Sequence, residues 1–188
     1  ETNAGDDVGN YTITDQGTTT ANITAKTLTA TASASNKVYD GTTTAAVTLT
    51  FTGLVGDETL GQTVGATFAD KDVANAKTVT VNSITLSDDG GLADNYTIST
   101  GQTTTANITP KALTIAGITA SNKTYNGNTT ATIDVDSATF SGLVVGDDVT
   151  VSATGTFDNK NVGTGKTVTL SETNAGDDVG NYTITDQG

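Results

Sequence analysis

Apolar and polar positions alternate with a period of two over much of this chain. The segments "TLTATA" (27–32), "AVTLTF" (46–51), "TVTVNSITL" (78–86) and "ALTIAGI" (112–118) place Leu, Val, Ile and Ala on one side and mostly threonine on the other, the pattern of a strand with one buried face. Turn signals separate such runs every ~8–12 residues, among them Asp40-Gly41, Gly56-Asp57, Asp89-Gly90-Gly91 and Asn126-Gly127. No segment carries an apolar stripe at helical spacing over helical length. The pattern predicts an all-β chain.

The alternating runs also recur. "ASNKVYDGTTTA" (34–45) returns as "ASNKTYNGNTTA" (120–131), "AKTVTV" (76–81) as "GKTVTL" (165–170), and "TTTANITAKTLT" (18–29) as "TTTANITPKALT" (103–114). "FTGLVGDE" (51–58) returns as "FSGLVVGDD" (140–148) with one extra residue. The offset of the first pair, 86 residues, sets the size of one module. Residues 1–25 then read as the last strands of a preceding repeat, 26–110 as repeat module A, and 111–188 as module B, lacking its final strand. Modules of this size with six to eight strands fit tandem small β-sandwiches of Ig-like type, arranged end to end.

The first seventeen residues, "ETNAGDDVGNYTITDQG", are identical to 172–188. That identity predicts a window on an alternating array with a double period. Its joint, "ANITPKALTI" (106–115), has no Gly/Ser spacer and holds Pro110, so rotation between modules should be restricted. An unpaired sheet edge is a template for pairing. Residues 18–24 are therefore expected to complete module B of a neighbouring molecule by head-to-tail strand complementation, the alternative being a fold-back within one molecule.

Composition narrows the function classes. Threonine is nearly a quarter of the chain, apolar residues are 34%, and His, Cys, Met, Trp and Arg are absent. Cores built from so few large side chains must be thin, and each module only modestly stable alone. Twenty-one acids against eight lysines give a net charge of −13, spread evenly over the three segments. Such a chain repels phosphate backbones, which argues against nucleic-acid partners. No apolar stretch is long enough to span a membrane as a helix.

The repeated "NKVYDGTTTA" and "NKTYNGNTTA", followed by "GLVGDE" and "NYTI", resemble the YDG-type repeats of large bacterial surface adhesins, of the filamentous-haemagglutinin-like and other giant repetitive kinds. Asn126 stands where the signature has Asp. The resemblance implies an extracellular, cell-surface stalk that carries a distal binding domain away from the cell, with neighbouring repeats of the same chain as its partners. It assigns no ligand to the repeats.

Several residues invite a chemical reading. Tyr39 and Tyr125 stand beside turns, where a phenol ring would fill a thin core and its hydroxyl tie down the turn; an exposed sugar platform is the competing use. Tyr11, Tyr96 and Tyr182 sit in "NYTI" segments and read as structural, and Asp7-x-Gly9-x-Tyr11 and Asp178-x-Gly180-x-Tyr182 resemble a tyrosine corner. Acid pairs raise the question of calcium, which takes several carboxylate and carbonyl oxygens. Asp70 with Asp72, Asp88 with Asp89, and Asp177 with Asp178 are the candidates, alongside Asp6/Asp7, Asp57/Glu58 and Asp147/Asp148. None fits an EF-hand loop or a nonapeptide calcium repeat, so solvated turns and no cofactor are expected, with calcium at these acids the alternative.

Without His or Cys, triads, thiolate nucleophiles and His-bearing zinc sites are out of reach. The chain is expected to be no enzyme. The expected role is that of extender repeats of a secreted, cell-surface adhesin in cell adhesion and biofilm; repeated weak carbohydrate- or protein-binding modules acting multivalently are the alternative.

Overall fold

The computed structural model describes residues 2–187; Glu1 and Gly188, the outermost residues of the expected boundaries, lie outside the described residues. Module A holds eight strands: β1 (Lys26–Ala34), β2 (Lys37–Val38), β3 (Thr44–Ala45), β4 (Val47–Thr52), β5 (Leu60–Phe68), β6 (Ala74–Asp88), β7 (Tyr96–Ile98) and β8 (Thr103–Thr109). Module B follows with β9 (Lys111–Ala116), β10 (Thr119–Ala120), β11 (Thr130–Ala131), β12 (Ile133–Asp134), β13 (Thr139–Ser141), β14 (Thr150–Phe157), β15 (Val168–Ala175) and β16 (Tyr182–Thr185). Among the described residues the only helical elements are three short 3-10 turns, so none is long and apolar enough to cross a membrane.

Each module is built from small sheets. In module A, β4-β1-β7 form one sheet and β2-β8-β6-β5-β3 another. Module B repeats the first as β13-β9-β16 with a separate β10-β12 pair, and the second as β11-β14-β15. The period-two pattern sets which faces are covered: along β1, Leu28, Ala30, Ala32 and Ala34 are buried or half-buried while the threonines and serine between them are exposed. Leu49 of the first sheet and Phe68, Val79, Val81, Ala106 and Ile108 of the second belong to one buried cluster. The Gln62 side chain links the two sheets, accepting from the Leu49 N–H at 3.0 Å and donating to its carbonyl at 2.8 Å. Predicted turn glycines Gly41, Gly56, Gly90 and Gly127 all have positive φ.

The modules differ at one place that matters. In module A, β8 lies between β2 and β6, pairing Lys37 with Ile108 on one side and Thr78 with Thr105 on the other. Among the described residues module B has no such strand, and the segments that would flank it, Lys123-Thr124 and residues 163–167, form none either. Residues 18–24 have the same sequence as β8, "TTTANIT", yet residues 2–25 form only the 3-10 turn Val8–Asn10. The segment 172–187, whose sequence repeats that of 1–16, forms the same turn at Val179–Asn181 and then a strand, β16, paired in parallel with β9. Local sequence is enough for the turn; the strand needs a partner for its backbone groups.

Ile108 is 1% exposed in the middle of the large sheet. Ile108→Ala should therefore cost about 2–5 kcal/mol. Ile23 is its fully exposed counterpart in residues 18–24, and Ile23→Ala should change the stability of the dilute monomer by less than about 0.5 kcal/mol. Urea denaturation checks the pair; equal losses would place residues 18–24 in a folded sheet of their own molecule.

Candidate functional site

The densest polar constellation lies where module A meets module B. Its module A side is held by β8: the Tyr39 N–H donates to the Thr109 carbonyl at 2.9 Å, so the end of the last strand fixes the residue that leads into the Asp40-Gly41 turn. Asp40 closes that turn, accepting from the Thr42 N–H at 2.9 Å and from Lys37 at 2.7 Å. Gly41 has φ +76°, and a Cβ there would come within 2.8 Å of Val144 of module B. Glycine is required here both for the left-handed backbone and for the close approach of the two modules. Lys71, Asp72 and Val73 come from the loop between β5 and β6.

Module B contributes the turn from Val144 to Asp147, closed by an N–H to carbonyl bond of 3.1 Å, and the 3-10 turn Val179–Asn181 with Tyr182 after it. Asp147 is the centre. Its Oδ2 accepts from the Tyr39 hydroxyl at 2.8 Å and the Tyr182 hydroxyl at 2.5 Å, and its Oδ1 from Lys71 Nζ at 3.2 Å. Lys71 also bridges to Asp178 at 2.7 Å. The Asp147 side chain is 4% exposed, and a buried carboxylate is tolerated only when its lone pairs are filled. Here two phenols and an ammonium fill them, and two of the three come from the other module.

A second bond set lies beside it. Asn181, 5% exposed, accepts the Val73 N–H at 2.9 Å and donates to Asp72 at 3.3 Å. The rings of Tyr39 and Tyr182 meet edge to face, 5.5 Å between centroids, and Lys71 lies 5.8 Å from the Tyr39 ring centre. Burial pushes the Asp147 carboxyl up, but the hydrogen bonds from Tyr182, Tyr39 and Lys71 outweigh it and hold the group below its ordinary value. Asp178 is lowered chiefly by its bond to Lys71, and Lys71 is raised by Asp178, then Tyr39 and Asp147. Tyr182 is pushed up to about 12 by burial and by its bond to Asp147.

The sequence-predicted residues have separate fates. Tyr39 is buried, with its hydroxyl on Asp147 of the next module rather than on its own turn. Tyr125, its repeat partner, is 58% exposed. Tyr96 and Tyr182 accept backbone N–H groups of Val55 at 3.1 Å and Val144 at 2.9 Å, and Tyr96 donates to Glu58, while Tyr11 stands exposed. Asp72 and Asp178 belong to the joint. Asp70 pairs with Lys77 and accepts the Asp72 N–H at 2.9 Å. Asp88 accepts the Ala93 N–H at 2.7 Å, the Asp89 carbonyl takes the Thr59 hydroxyl, and the Asp177 N–H donates to Asp148 at 3.4 Å. Among the described residues no three acidic side chains converge as a metal cage. Asp147, expected only as one of the paired acids, is the hub, and Lys71, its cation, carried no expectation; the signal in the sequence is a tyrosine, a lysine and an acid that recur in both repeats.

Tyr39→Phe should destabilise the two-module chain by about 1–3 kcal/mol, the range for a hydrogen bond to a charged group and the orphaned acceptor it leaves. Tyr125→Phe should stay within about 0.5 kcal/mol; chemical denaturation compares them. Since the folded values of Asp147 and Asp178 lie below 3.8, the unfolded chain protonates first as pH falls. The joint's contribution is complete above that value and drains away below it. At the other end the unfolded phenol loses its proton first, so stability falls from the ordinary tyrosine value of 10.0 towards about 12. Thermal midpoints across pH check both limbs, and Asp147→Asn should lower the neutral plateau and flatten the acid limb.

No curated protein and no solved structure matches this chain. The family described as YDG domain matches it twice, over residues 24–106 and 109–188, so that each match covers one module and the two meet at the joint. This chain belongs to the YDG domain family.

Proposed function

We propose that these modules are structural extender repeats, a stalk that holds distance and alignment for a distal binding domain of a secreted, cell-surface bacterial adhesin. In this reading each module is a small Ig-like β-sandwich, its two sheets face to face over a thin core. The observation that carries the reading is the joint at Asp147. One buried carboxylate takes hydroxyls from both modules and a lysine from the first, and a single residue, Pro110, links β8 to β9. A linker of one residue with a proline-restricted φ leaves little room for hinging, and the contact beside it opposes what remains. Restricted joints in series make a semi-rigid rod, and an even net charge of −13 discourages its collapse.

Repeated carbohydrate- or protein-binding modules would need the same side chains exposed in both repeats. Tyr125 is exposed where Tyr39 is buried, which favours the spacer. The absence of His and Cys likewise favours a role without catalysis, and no calcium is invoked to stiffen the joint, since Lys71 already bridges Asp147 and Asp178.

Small-angle X-ray scattering, in calcium and in EDTA, tests the proposal. The expected profile is elongated and the same in both, with Tyr39→Ala/Asp147→Ala broadening the distribution of end-to-end distances. Loss of extension in EDTA would reassign the acid pairs to calcium; a compact or freely hinged pair in both conditions would overturn the stalk and favour the multivalent binder.

A further inference from the structure

Module B presents an open groove of about 710 Å³ lined by Asn122, Tyr125, Phe157, Gly165 and Val168. These residues match Asn36, Tyr39, Phe68, Ala76 and Val79 of module A, at offsets of 86 residues before β5 and 89 within and after it. In module A that place is filled by β8. Ala106 and Ile108 there are 5% and 1% exposed. Asn36 accepts the Asn107 N–H at 2.7 Å and Asn107 accepts the Ala76 N–H at 2.7 Å. Ala76 is held at φ +50°, and its counterpart Gly165 already has φ +62°. At Gly165 the groove thus already has the left-handed backbone that Ala76 adopts beside β8.

Residues 18–24 repeat β8 residue for residue. They form no strand, and Ile23, the counterpart of Ile108, is fully exposed. We infer that residues 18–24 of one molecule insert into the module B groove of a second copy of this chain, Ile23 taking the Ile108 position and Asn22 the Asn107 position, to give head-to-tail association.

A second, independent observation points to the same occupant. Only Ala25 separates residue 24 from β1, as only Pro110 separates β8 from β9. Insertion therefore seats the donor's module A against the acceptor's module B as module B sits against module A within one chain. The surfaces suit. Tyr125 (58% exposed) and Val162 (89%) of the acceptor, with Lys160, occupy the positions of Tyr39, Val73 and Lys71. On the donor, Glu58 with Tyr96 stands where Asp147 stands with Tyr182, and Val55 and Asn95 stand where Val144 and Asn181 do. Lys160 and the Tyr125 hydroxyl would meet Glu58 as Lys71 and Tyr39 meet Asp147. Because β1 is built into module A, the one-residue tether holds the end of residues 18–24 at module A, which favours a second copy over a fold-back onto the same chain's module B. A heterologous contact of this kind does not close on itself, so it yields a series of lengths rather than one dimer.

Sedimentation equilibrium of the full chain from about 10 μM to about 1 mM, at moderate and at high salt, tests it. The weight-average mass should rise at least about twofold above 18.9 kDa, and Ile23→Asp, a change in an exposed segment that neither module needs, should hold it at the monomer. A labelled peptide of residues 15–25 should bind the Ile23→Asp chain, and the same peptide carrying Asp for Ile should not. Since the chain has no cysteine, register can be trapped. The Thr78/Thr105 pairing maps onto Thr167 and Thr20, so Thr20→Cys/Thr167→Cys should give a ladder of disulfide-linked species on oxidation, while Thr20→Cys/Thr169→Cys gives far less. A wild-type chain that stays monomeric throughout without binding the peptide, association that survives Ile23→Asp, or equal cross-linking in both registers would overturn the inference.

Discussion

A strand cannot keep its backbone N–H and C=O groups out of water without a neighbour to take them up, and this chain shows that constraint on identical sequences. "YTIT" lies exposed and unpaired at residues 11–14 and forms β16 at 182–185, where β9 receives it. "TTTANIT" is bare at 18–24 and is the strand between β2 and β6 at 103–109. In both comparisons the strand appears only where another strand is within reach. The cores are thin, with alanine and valine doing much of the filling, and where module B has no counterpart of β8 the flanking residues 123–124 and 163–167 form no strand, while β15 persists on its pairing with β14.

The joint follows from the same economy. A module with few large side chains has little apolar surface to offer its neighbour, so the contact relies on a buried charge whose bonding capacity is filled from both sides. Asp147 would be costly alone; surrounded by Tyr39, Tyr182 and Lys71 it becomes a reason for the modules to stay together in one orientation. Gly41 leaves room for the Val144 side chain of module B at this contact. Lys71 serves two acids, a sensible use of one of only eight lysines in a chain with net charge −13.

Much of the architecture was legible in the residues. Alternation placed the strands β1, β4, β6 and β9, and turn dipeptides placed Gly41, Gly56, Gly90 and Gly127 at positive φ. The recurring motifs are shared between two segments, and one family match falls on each. The joint was less legible. Tyr39 and Tyr125 occupy the same motif and look alike in sequence, yet one is 1% and the other 58% exposed. Nothing local distinguishes them; the difference is that module B covers the first. Asp147 could not be told apart from the other paired acids, because its role depends on a lysine and a tyrosine more than seventy residues away.

The sequence by itself determined what short-range sterics and periodicity control. These are the extended strands, the turns that need glycine, the 3-10 turn formed identically at Val8–Asn10 and Val179–Asn181, and the length of the repeat. Tertiary structure decided which of those segments became paired strands, which tyrosines were buried and which carboxylate became the hub of the joint. The physical reason is that pairing and burial belong to two segments at once: a residue's own sequence can prepare it for a partner, but only the fold brings that partner to it.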